Sequence, residues 1–171
     1  AVNFGIVYGI GAFSLAKDIG VSNKEAKHYI ESYLAHYSGV DSYMKNVVER
    51  AKADGYVETM FGRRRNLPEL TSSKHMIRAF GERVARNMPI QGTAADIIKI
   101  AMIKVDERMK AENLRARLVL QVHDELIVEA PQDESMRVAL IVQEEMENAV
   151  KMSVPLTADA AVGRTWYDAK G

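Results

Sequence analysis

Apolar side chains recur at helical spacing through most of the chain and predict a mainly helical protein. Ser22 and Glu25 form the capping-box pattern that begins a helix, and apolar or aromatic residues then follow at helical intervals as far as Tyr37. A second helix is predicted over about residues 40–53, because Gly55 provides a stop signal directly after it.

Two pairs of short runs predict two β-hairpins, and the runs of the second pair are rich in β-branched and aliphatic residues. The first covers residues 56–67 and turns at residues 61–62, which include a glycine. The second covers residues 117–128 and has a polar tip at residues 123–125. A hairpin tip is held between two stiff strands, so the second tip is a good place to mount functional side chains.

The second half of the chain is predicted to contain three further helices and one more strand. One helix covers about residues 73–86, and another begins with the capping pattern at Thr93, after an interruption at Pro89. A third helix follows residue 133, and residues 155–162 are predicted to form a last strand. Helices around a small, mostly antiparallel sheet make an α+β fold.

Composition excludes several classes of function. The 171 residues include no cysteine, which removes disulfides and thiolate metal sites and fits a reducing cytoplasm. No apolar run approaches the roughly 20 residues that span a bilayer, so we expect no membrane partner. The chain opens at Ala1 in apolar sequence without a helix cap, and we expect it to be a fragment of a longer protein.

The formal net charge of zero hides an uneven distribution of charge. Residues 61–87 carry seven basic and two acidic side chains, whereas residues 123–151 carry eight acidic and two basic ones. A basic zone suits contacts with phosphates, although a solvated surface with compensating charges is the commoner explanation. The three arginines at residues 63–65 fit either a phosphate clamp or a solvated hairpin end.

The polar tip of the second hairpin provides the candidate metal ligand. Asp124 lies between two predicted strands, where a carboxylate is held firmly enough to bind a divalent cation. Adjacent strand residues point to opposite faces, so Asp124 and Glu125 need not share one ion. The alternative is an ordinary acidic turn.

Two further sets of side chains are candidates for binding. Phe4 and Tyr8 are four residues apart and would form either a stacking platform for a base or simple core packing. Arg83, Asn87 and Gln91 are also spaced four apart and would share one face of a continuous helix, although the predicted interruption weakens that alignment.

Several short motifs follow one another along the chain in a fixed order. They occupy residues 3–9, 55–59, 61–65, 87–96 and 121–126, and the ending contains Gly163, Trp166 and Ala169. In this order they resemble the motifs of the family A DNA polymerases, the bacterial DNA polymerase I type. The resemblance covers essentially the whole chain, and the ordered combination is far more specific than any single motif.

The resemblance implies template-directed nucleotidyl transfer. A primer 3′-hydroxyl would attack the α-phosphorus of a deoxynucleoside triphosphate and release pyrophosphate, with two Mg²⁺ ions at the attacking and leaving oxygens. Primer–template DNA and dNTPs are therefore the expected partners, together with the missing N-terminal part of the same polymerase.

The resemblance also implies a role for each candidate residue. Asp124 would bind metal, Glu125 would be an accessory acid near the primer end, and His123 would contact the primer terminus. Phe4 would pack beside the incoming nucleotide, and Tyr8 would border the templating position. The DNA near the insertion site would be held by Arg83, Asn87 and Gln91.

The implied domain organisation is a partial helical fingers region at residues 1–75 and the C-terminal part of a palm at residues 76–171. The family's other metal-binding aspartate and its triphosphate-contacting lysine have no counterpart among these residues, so we expect the 171-residue chain alone to be inactive. The alternatives are a non-catalytic DNA-binding module with a polymerase-like fold and a purely structural helical lobe.

Overall fold

A computed structural model describes Gly5 and residues 9–170. Helices predominate, and the four strands form two separate antiparallel hairpins. The helices are α1 (Ala12–Ile19), α2 (Asn23–His36), α3 (Ser38–Asp54), α4 (His75–Ala111), α5 (Ser135–Glu147) and α6 (Trp166–Lys170), with a short 3₁₀ helix at Pro68–Thr71. The strands are β1 (Tyr56–Glu58), β2 (Arg64–Asn66), β3 (Arg117–Val122) and β4 (Glu125–Glu129). The α+β prediction is confirmed.

The chain divides into two compact units, Ala1–Thr93 and Ala94–Gly171. Unit 1 contains α1 to α3, the first hairpin and the first part of α4. Unit 2 contains the rest of α4, the second hairpin, α5 and α6.

The predicted start of α2 and the predicted end of α3 are both confirmed. The Ser22 hydroxyl accepts the Glu25 backbone N–H at 3.2 Å, while the Glu25 carboxylate accepts the Ser22 backbone N–H at 3.0 Å. These reciprocal bonds satisfy donors that the first turn of a helix leaves free. Gly55 ends α3 with a left-handed φ of 78°, which glycine adopts without steric cost.

Unit 1 is held together by a core between α3, the first hairpin and α4. Leu67 and Ala51 are almost fully buried in this core. Val57 of β1 faces inward, and its strand neighbours Tyr56 and Glu58 are more exposed, as the alternation of a strand requires. The buried members are Val48, Ala51, Val57, Leu67, Leu70 and Ala85.

The turn of the first hairpin is docked on α4. The Thr59 hydroxyl accepts the backbone N–H groups of Phe61 and Arg63, each at 3.2 Å, and so braces the turn from within. The backbone N–H of Met60 is accepted by the Thr93 hydroxyl of α4 at 3.0 Å. A Cβ added to Gly92 would lie 2.6 Å from Thr59 Cγ2, so only glycine permits this approach.

The predicted helix break at Pro89 is wrong. The structure has one continuous helix from His75 to Ala111, with the proline inside it. Thr93 does not cap a new helix: its hydroxyl donates to the Pro89 carbonyl at 2.5 Å and accepts the hairpin N–H. The Thr93 side chain, which the sequence pattern predicts to cap a new helix, therefore docks the first hairpin on α4.

Unit 2 has its own core beneath the second hairpin. Strands β3 and β4 pair antiparallel, and Val119 forms a bulge between the pairs that Leu118 and Leu120 make with β4. One face of this hairpin packs on α4 and α5. The buried residues of this core are Val105, Met109, Ala116, Val138 and Ile141.

The predicted strand at residues 155–162 is wrong. Within the described chain these residues are irregular and pair with no other strand. A strand needs a partner edge for its backbone groups. Here the Ala158 N–H is accepted instead by the Glu147 carboxylate of α5, at 3.2 Å.

Candidate functional site

The tip of the second hairpin is a tight turn of two residues, His123 and Asp124. His123 adopts a left-handed φ of 53°, which is unusual for a residue with a side chain. The Gln121 side-chain amide donates to the His123 carbonyl at 2.5 Å and holds the turn in place. Asp124 is exposed at the tip, so its carboxylate is accessible to a ligand from solvent.

Glu125 lies in a strand and not in the turn where the sequence pattern places it. It is the first residue of β4 and pairs with Val122. One carboxylate oxygen, Oε1, lies 3.2 Å from Lys170 Nζ. The other, Oε2, is shielded from water and has no hydrogen-bond partner among the described residues.

The three side chains spaced along α4 share one helix face. The continuity of α4 places Arg83, Asn87 and Gln91 on successive turns, because four residues turn a helix by little more than one full rotation. Arg83 is exposed. The Asn87 Oδ1 atom is buried, and no partner for it is found in the described part of the chain. The structure therefore supplies the alignment that Pro89 seemed to prevent.

The opening motif reaches this face through Gly9. Phe4 and Tyr8 lie outside the described residues. Gly9 has a φ of 72°, and a Cβ built on it would lie 3.6 Å from Arg83 Cγ and 3.5 Å from Arg86 Nη1. Gly9 therefore lies beside Arg83.

Arg64, the middle one of the three consecutive arginines, makes contacts within the first hairpin. The Arg64 side chain lies 3.2 Å from the Glu58 carboxylate and 4.4 Å from the centre of the Tyr56 ring, so it is engaged across its own hairpin. This arrangement fits a structural role for Arg64 better than a phosphate clamp.

The carboxylates of Asp124 and Glu125 are of the chemical type that binds a hard divalent cation. Two such residues are too few to form a complete metal site. Mg²⁺ prefers carboxylate oxygens and bound phosphates, and the exposed Asp124 carboxylate can supply one such ligand. Among the described residues, however, no cluster of three or more His, Asp or Glu side chains could hold a metal ion. A complete metal site would need further ligands.

Lys170 is the site residue that sequence reasoning missed. It lies far from Glu125 in sequence, and a lone lysine carries no local signal. The ending motif of Gly163, Trp166 and Ala169 was the available signal, because those residues place α6 and its lysine.

No helix in the described part of the chain is long and apolar enough to cross a membrane.

Comparison with known proteins relates this chain to one family of DNA polymerases. The family described as "DNA polymerase family A" matches residues 1–168. DNA polymerase I of Bacillus caldotenax is 55% identical over 170 residues, and that of Bacillus subtilis is 53% identical. Each match covers 99% of this chain and 19% of the relative, so the chain spans about a fifth of the length of these proteins.

A solved structure gives the same relationship in three dimensions. It is the "POL domain of Pol1 from M. smegmatis complex with DNA primer-template and dNTP", with a TM-score of 0.94 and 46% identity. The match covers 99% of this chain and 30% of that one. The chain belongs to DNA polymerase family A.

Proposed function

We propose that this chain is the part of a DNA-dependent DNA polymerase that carries one metal-binding carboxylate and a DNA-holding helix face. The parent enzyme would join a dNTP to a primer: the 3′-oxygen forms a bond to the α-phosphorus, the bond to the β-phosphate breaks, and pyrophosphate leaves. The observation that carries the proposal is Asp124, an exposed carboxylate on a braced hairpin turn.

Each residue of the second hairpin tip has a proposed task. Asp124 would be the metal ligand, and bound Mg²⁺ would neutralise charge on the attacking and leaving oxygens. Glu125, which follows Asp124 directly as the first residue of β4, would be an accessory acid near the primer end. His123 would contact the primer terminus, since the left-handed turn exposes its side chain.

The α4 face is the proposed DNA contact. Arg83 would supply positive charge, while Asn87 and Gln91 would offer amide groups to the minor groove. Every base pair presents N3 or O2 acceptors there, so paired geometry is checked without reading sequence. Phe4 and Tyr8 would border the incoming nucleotide and the templating base.

The proposed domain assignment follows the family pattern, with fingers at residues 1–75 and palm at residues 76–171. Primer–template DNA, dNTPs and the rest of the polymerase are the proposed partners. The M. smegmatis structure, which was solved with DNA primer-template and dNTP, supports the first two.

Replacement of Asp124 tests the proposal in the complete polymerase. Asp124→Asn should lower kcat for primer extension by at least about a hundredfold, because metal stabilisation of transition-state charge amounts to several kcal/mol. Glu129→Gln is the matched control: Glu129 is an exposed acid of the same hairpin that pairs with Arg117. Equal activity of both variants would exclude the proposed role of Asp124.

A further inference from the structure

The C-terminal helix α6 is seated closely against the segment that precedes it. A Cβ added to Gly163 would lie 2.6 Å from the backbone nitrogen of Ala169 and 2.9 Å from the carbonyl carbon of Asp168. Such distances leave no room for a side chain, so glycine lets the chain fold back on the short helix. The seating explains the glycine of the ending motif.

The start of α6 is fixed by a reciprocal cap. The Asp168 carboxylate accepts the Thr165 backbone N–H at 3.1 Å and the Thr165 hydroxyl at 2.8 Å. The Asp168 N–H donates to the Thr165 hydroxyl oxygen at 3.2 Å. A helix of five residues has little stability of its own, so the cap and the glycine seat supply much of its definition.

Lys170 is directed by this helix to the hairpin tip. Its Nζ lies 5.0 Å from the centre of the Trp166 ring, within the range of a cation–π interaction. The same Nζ lies 3.2 Å from Glu125 Oε1. The ring and the carboxylate together select one position for an otherwise flexible ammonium group.

We propose that Lys170 is a positioning residue that orients the Glu125 carboxylate for the polymerase reaction. This inference rests on the proposed function. By holding Oε1, the ammonium group fixes the rotation of the Glu125 carboxylate beside the hairpin turn. Lys170 touches neither substrate nor metal itself and acts through Glu125.

A simple surface ion pair at the chain end is the alternative. Lys170 and Glu125 side chains are 58% and 40% exposed, and exposed ion pairs contribute little to stability. Removing Lys170 should therefore leave the protein folded, so a change in reaction rate can be attributed to carboxylate geometry.

The test uses primer extension by the complete polymerase with single-nucleotide addition. Lys170→Met keeps the length of the side chain and removes its charge. It should lower kcat by about three- to tenfold, with KM for the dNTP changed by less than about twofold, because a misplaced group affects the reacting geometry more than ground-state binding. Lys170→Arg should restore most of the rate, and Lys151→Met is the control for loss of an exposed lysine on the same unit.

A double-mutant cycle separates positioning from general stabilisation. If Lys170 acts through Glu125, Lys170→Met should cause no further loss in the Glu125→Gln background. Additive losses, a Lys170→Met rate equal to wild type, or an equal loss in Lys151→Met would overturn the inference. Measuring Asp124→Asn in parallel distinguishes a failure of the Lys170 inference from a failure of the proposed polymerase function. If it abolishes extension while Lys170→Met does not slow it, only the inference fails; an active Asp124→Asn enzyme removes the proposed function as well.

Discussion

The Thr93 hydroxyl oxygen lies 3.0 Å from the backbone nitrogen of Met60, and this hydrogen bond joins the turn of the first hairpin to helix α4. The hydroxyl proton is directed to the Pro89 carbonyl. One side chain thus satisfies a hairpin donor and a helix acceptor together, and it does so one residue after the glycine that permits the contact.

Loss of the Thr93 hydroxyl should loosen the first hairpin. Thr93→Val keeps the shape of the side chain but leaves the part-buried Met60 N–H without its acceptor, which should cost about 1–3 kcal/mol. Amide hydrogen exchange should report lost protection at Met60, whereas Thr93→Ser should retain it. Unchanged exchange in Thr93→Val would contradict the docking role.

A methyl group at Gly92 should disrupt the same contact by steric overlap. Gly92→Ala places a Cβ 2.6 Å from Thr59 Cγ2, and overpacking of this kind should destabilise unit 1 by about 1–3 kcal/mol. Gly39→Ala is the matched control, since Gly39 lies in α3 and a Cβ there would have no neighbour within 4 Å. The control should be neutral or stabilising by up to about 1 kcal/mol. Thermal unfolding of both variants compares the two effects.

The stability of unit 2 at acidic pH should depend on the protonation of Glu112. Two hydrogen bonds from Arg137, followed by one from Arg108, hold the pKa of the Glu112 carboxyl below its ordinary value of 4.5. A carboxyl whose pKa is lower in the folded state than in the unfolded state stabilises the fold at pH values above its unfolded-state pKa. That stabilisation is lost as the pH falls through the folded-state pKa. Carboxyl NMR titration should show this pKa rising in Arg137→Met. Arg117→Met, which removes a different ion pair, should leave it unchanged.

Charge and amide contacts of the α4 face should differ in their dependence on salt. In the complete polymerase, Arg83→Ala should weaken DNA binding and reduce the slope of log K against log salt by about 0.9, as loss of one phosphate contact would. Asn87→Ala should weaken binding with little change of slope, because it removes no charge. Binding isotherms at several salt concentrations distinguish the two. Wild-type affinity in both variants would exclude this face as the DNA contact.

The 171-residue polypeptide by itself should not extend a primer. Asp124 is its one carboxylate matched to a family metal ligand, and two Mg²⁺ ions need shared bridging carboxylates. Gel-based extension assays with the purified chain and excess Mg²⁺ should show no product, while the complete polymerase in the same buffer should extend. Template-dependent product from the purified chain would refute this expectation.

Local chemistry in the sequence determined the start of α2, the end of α3 and both hairpins. Ser22 and Glu25 satisfy each other within one turn, and Gly55 supplies the left-handed residue that ends α3. These interactions depend on near neighbours in the chain, so a pattern of residues is enough to predict them. The sequence likewise predicted the hairpin that carries Asp124, while the role of Asp124 stays a prediction.

Only the tertiary structure decided how distant segments use the same residues. Pro89 and Thr93 have the local pattern of a helix end and a helix start, but docking of Met60 turns them into the middle of one long helix. Residues 155–162 have the composition of a strand and lack a partner edge among the described residues. Lys170 meets Glu125 because Gly163 allows α6 to fold back. Each outcome depends on contacts between residues far apart in sequence, which local preference does not contain.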